Sequence, residues 1–134
     1  MVSLSLKNND LMKIILQVNA GVEILAGFIL LFNPHLLLNH AEPNIQGIVI
    51  SKMYGILALC FGIITYILGK HFEYTILFKQ VILTIIAFHF AVGLHMYGVF
   101  KQHITPNIGA TALHFSLAVI FILIYLKHMQ KFTA

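Results

Sequence analysis

Residues 81–100 read VILTIIAFHFAVGLHMYGVF, twenty positions without a formal charge. A helix of that length crosses the ~30 Å hydrocarbon layer of a bilayer. The run nevertheless carries two histidines, His89 and His95. An imidazole in lipid is costly without a partner, so such residues face the interior of a helical assembly.

Three more long apolar runs accompany it. The sequence predicts spans at about 11–32, 47–68, 75–100 and 108–126, within the single domain that 134 residues allow. The chain is 60% hydrophobic and 9% charged, whereas a soluble domain carries roughly 25% charged residues. The net charge of +4 comes from eight lysines scattered near segment ends, with no basic run. Nucleic acid is therefore not an expected partner. The single Cys60 cannot form an internal disulfide. No clear A-x-A cleavage site accompanies the first apolar run, which argues against a cleaved leader.

In chain order, residues 1–10 form a polar head in which Asn8, Asn9 and Asp10 offer N-cap side chains. The first span stops at Asn33-Pro34, because proline lacks the amide proton that would continue the helix. Residues 33–46 are the longest connection, with Leu36–Leu38 expected to lie flat at the interface and His35, His40 and Glu42 in water. In the second span Ser51, Gly55, Ala58 and Gly62 make a strip of small residues on one face, suited to close helix packing in lipid. Residues 69–74 and 101–107 are short turns; Lys79 snorkels near the start of the third span. Short connections imply sequential antiparallel neighbours. The expected fold is all-α, an integral membrane up-down antiparallel four-helix bundle.

Lys7, Lys13, Lys70, Lys79, Lys127 and Lys131 fall on one side and Lys52 and Lys101 on the other. The positive-inside tendency then places both termini in the cytoplasm, with a bacterial inner or plasma membrane as the expected location. The connections carrying His35, His40 and His103 face outward.

Counting ~1.5 Å per residue from the outer ends of the spans gives the depth of each polar group. His95 lies ~7 Å down, His114 and Tyr54 ~9 Å, Glu23 ~14 Å, His89 ~17 Å and Asn19 ~20 Å. These groups gather between the outer surface and the midplane. Asn19 and Glu23, four apart, share a face of the first helix, and Thr111 and His114 share one on the fourth. His89 and His95, six apart, flank one wedge without both pointing to its centre. The expectation is an outward-opening intramembrane pocket formed by Asn19, Glu23, Tyr54, His89, His95 and His114. Glu23 is the only carboxylate within a span, with His89 as its best partner by depth and Lys52 as second. The bland alternative is structural: a protonated Glu23 bonded to Asn19, and histidines serving as interhelical hydrogen-bonders.

No CxxC, HExxH, GxSxG or Gly-rich phosphate loop is present. Three readings of the pocket follow. It is the ligand site of an accessory or binding subunit; or Glu23 and a histidine perform acid–base chemistry on a lipid-like or other apolar substrate; or His95 and His114 hold haem b or a metal. The bilayer is the first partner, with a membrane protein or a second copy of the chain as further ones.

Four spans in about this length, the Asn33-Pro34 break, and Lys52-Met53-Tyr54-Gly55 at the head of the second span resemble the DoxX-like group of small four-span membrane proteins. Lys52 stands where an arginine would be looked for. His89-Phe90 is also similar to the third span of Erg28-type membrane scaffold proteins. Both resemblances imply accessory or scaffold roles beside redox or lipid-modifying enzymes, without catalytic residues.

Overall fold

A computed structural model describes residues 2–38, 45–102 and 108–133. His40, Glu42, His103 and Pro106, placed by the sequence in the two outward connections, lie outside the described residues. The described residues hold α1 (Val2–Phe32), the single turn α2 (His35–Leu38), α3 (Ile45–Lys70), α4 (Ile76–Lys101), α5 (Gly109–His128) and a closing 3-10 helix, Met129–Thr133. The fold class is all-α, as expected. Four of the helices are long and apolar enough to cross a membrane: 11–32 within α1, α3, α4, and 109–132 at the end of the chain.

The helix ends follow local chemistry. Asn33 N–H closes the last turn of α1 by donating to Ile29 O (2.8 Å), and Pro34 ends it. Thr75 caps α4: its backbone is extended and its hydroxyl oxygen accepts from Phe78 N–H. The N-terminal expectation needs correction. Residues 2–10 are helical, so Asn8, Asn9 and Asp10 lie inside α1 and do not cap it. No glycine or proline interrupts this stretch, so nothing stops the helix from extending beyond the apolar span.

The chain forms two compact units, Met1–Phe72 and Glu73–Ala134. In the first, α1 and α3 run antiparallel with glycines in the seam. An ideal Cβ on Gly62 would stand 2.9 Å from Ile24 N and 3.0 Å from Ala20 O. One on Gly27 would stand 2.8 Å from Gly55 O and Leu59 N. The buried face of α3 holds Ser51, Gly55 and Gly62 of the expected small-residue strip, with Ala58 only half-buried, and continues through Thr65 and Gly69. In the second unit α4 and α5 pair antiparallel, with Phe90 edge-on to Phe115 (5.7 Å between ring centroids). The 3-10 helix returns toward the start of α4, setting Phe132 edge-on to Tyr74 at 5.0 Å.

The outer faces are apolar. Leu25, Leu57, Leu77 and Leu123 are each more than 60% exposed, a distribution that in water would bury too little. Exposed apolar faces of this extent mark membrane contact, and the protein is an integral membrane protein.

Candidate functional site: an imidazole pair between α4 and α5

The buried face of α4 is Ile82, Ile85, His89 and Gly93, at spacings of three, four and four. These intervals keep all four side chains on one stripe of a helix. His89 is fully buried. Opposite it, α5 buries Thr111, Leu117, Ala118 and Phe121, with half-buried His114 one turn beyond Thr111. Gly93 provides the close approach: a Cβ there would stand 3.0 Å from the Phe115 ring.

The two imidazoles meet in this seam. His89 Nδ1 and His114 Nδ1 are 2.9 Å apart, within hydrogen-bond range. Phe121 stacks on His89 at 6.0 Å with planes 12° apart. Phe88 stands edge-on to both rings, at 5.2 Å from His89 and 6.2 Å from His114. The pair is therefore held by aromatic faces and edges, which fix ring orientation without supplying charge. The only formally charged residues of α4 and α5 are Lys79, Lys101 and Lys127, all near helix ends. Thr111 Oγ1, buried beside this region of α5, has no hydrogen-bond partner among the described residues.

The other expected residues divide. Asn19 and Glu23 are both buried on α1, 0% and 3% exposed, one turn apart as their spacing requires. Neither amide atom of Asn19 has a hydrogen-bond partner among the described residues. Tyr54 and His95 are exposed, and so is Lys52. His95 is thus not the partner of His114; His89 is. His95 lies two residues past Gly93, about 200° around the axis from the buried stripe. Tyr54 directly precedes Gly55, which faces α1, so its side chain leaves the seam.

Among the buried titratable side chains, one lies outside the site expected from the sequence. His128, 2% exposed, sits 5.7 Å from the Tyr74 ring, and neither of its ring nitrogens has a hydrogen-bond partner among the described residues. The basic closing segment that contains it reads as interfacial, which hides this position. Comparison with protein-family models, curated proteins and solved structures finds no match.

Proposed function

We propose that this membrane protein is a non-catalytic accessory or ligand-binding subunit, and that the His89–His114 pair is its binding element. The observation that supports this is the pair itself, joined at 2.9 Å in a seam lined mainly by apolar and aromatic side chains. Packing alone favours apolar residues there, because interhelical hydrogen bonds in bilayers average only ~0.6 kcal/mol. Intramembrane titratable groups of this kind commonly serve a site. The unsatisfied Thr111 hydroxyl adds a second polar contact for a small ligand or lipid headgroup. Six lysines against two support an orientation with both termini in the cytoplasm. The resemblance to small four-span accessory proteins points the same way.

Native mass spectrometry of the detergent-purified protein tests the reading. The wild type should retain a small molecule from the host membrane that His89→Leu and His114→Leu variants of wild-type helicity lose. Identical spectra for the three proteins would reject it.

A further inference from the structure

The ring geometry says what kind of pair this is. The imidazole centroids are 5.2 Å apart and the two Nδ1 atoms 2.9 Å apart. The difference is about one ring radius on each side, so both nitrogens lie close to the line joining the centroids. The rings meet head-on. An end-to-end arrangement of this kind fits one proton held between two nitrogens.

A neutral imidazole carries one N–H and one bare nitrogen. A hydrogen bond between two Nδ1 atoms therefore requires opposite tautomers. One ring is Nδ1–H with a bare Nε2, and the other is Nε2–H with a bare Nδ1.

We infer that His89 and His114 form a proton relay of fixed stroke, carrying one proton between their outer Nε2 atoms and then requiring its return. Take His114 as the Nδ1–H ring. A proton binds its Nε2; the Nδ1 proton crosses to His89 Nδ1; His89 gives its Nε2 proton to an oxygen or nitrogen lone pair of the molecule bound beside it. One proton enters, one leaves, and each intermediate carries a single positive charge. Afterwards both tautomers are inverted. A second proton cannot follow in the same direction until the first stroke is reversed or the rings part and each exchanges its proton separately. Separation is opposed by Phe121 stacked on His89 and Phe88 edge-on to both rings. The relay thus suits a donate-and-recover exchange between a buried position at His89 and a more accessible one at His114, not continuous conduction. This function rests on the ligand-binding reading for its proton acceptor and on the pair's geometry for its path.

The test is nitrogen NMR on the full chain, labelled at histidine nitrogens, in bilayers. The wild type should show a protonated Nδ1 on one of the two rings, coupled to a bare Nδ1 on the other. Two bare Nδ1 atoms overturn the relay without any variant. His114→Gln supplies the second arm, since an amide can hold a hydrogen bond to His89 yet cannot pass a proton. Exchange of the His89 ring proton with solvent should slow about tenfold or more, leaving only local opening as a route. Unchanged exchange in a variant with wild-type helicity overturns the relay, and His114→Asn replaces the glutamine variant if that one misfolds.

Discussion

Gly93 lies one helical turn from His89 on the buried stripe of α4, and the space its side chain would take is filled by the Phe115 ring of α5. The glycine sets the approach of the two helices, and so the length of the imidazole bond. Gly93→Leu should therefore separate the helices and break the bond. We expect a loss of about 1–3 kcal/mol, as for overpacked cores, together with loss of the N–N coupling in NMR. Gly98→Ala is the control. Nothing lies within 4 Å of its added Cβ, so helix propensity alone should act, raising stability by up to ~1 kcal/mol. Retention of the coupling in Gly93→Leu would show that the glycine does not set the approach.

The hydrogen bond should appear in a double-mutant cycle. His89→Leu or His114→Leu alone leaves the other Nδ1 without its partner, whereas the double variant removes both polar groups. The coupling energy should be about 0.5–1.5 kcal/mol, measured by reversible unfolding in mixed micelles. Strict additivity would mean the two rings do not bond in the folded protein.

Much of the architecture was readable from local rules, and the histidine pairing was not. Proline at 34 and the lengths of the apolar runs place the four spans, though not the start of α1. The start of α1 is not legible because Asn8, Asn9 and Asp10 fit an N-cap by type, yet none of them breaks a helix. At the site, depth arithmetic set His89 and His114 ~8 Å apart and His95 beside His114. Depth is only one cylindrical coordinate. The azimuth was also in the sequence: Ile82, Ile85, His89 and Gly93 define a stripe that excludes His95. The partner of that stripe depends on the register between helices, which no single-helix pattern contains. The same reasoning shows why Tyr54 could not join a site facing the glycine strip.

Asn19 carries a stability cost. It is fully buried and neither amide atom finds a hydrogen-bond partner among the described residues. An unsatisfied buried polar group costs about 1–3 kcal/mol. Asn19→Leu, of similar volume, should therefore raise stability by roughly that amount, seen as a higher unfolding midpoint in detergent. A lower midpoint would show that the amide is satisfied in the membrane.

In the first unit backbone atoms as well as side chains close the seam between α1 and α3. A Cβ on Gly62 meets Ile24 N at 2.9 Å and Ala20 O at 3.0 Å. Neither atom can move without shifting α1. Gly62→Ala should lose about 1–3 kcal/mol to overpacking, more than the ~1 kcal/mol that alanine returns in helix propensity. Gly21→Ala, with nothing within 4 Å, should be neutral or stabilising. Equal midpoints for the two variants would mean the seam is looser than described.

Tyr74, just before α4, makes stability depend on alkaline pH. Burial raises its phenol above the ordinary value of 10.0. It packs against Phe132 at 5.0 Å and His128 at 5.7 Å, while Lys131 Nζ lies 5.1 Å from its ring centroid. A raised folded value means the folded chain keeps a proton that the unfolded chain has released. This contribution is intact below the ordinary value and declines as pH rises through and beyond it. Tyr74→Phe removes the ionisation and keeps the ring. Its unfolding midpoint should fall less steeply than the wild type's above pH 10.0. The difference belongs to Tyr74 because Lys131 is present in both proteins. Parallel midpoint curves would place the phenol in water and detach the closing 3-10 helix from the start of α4.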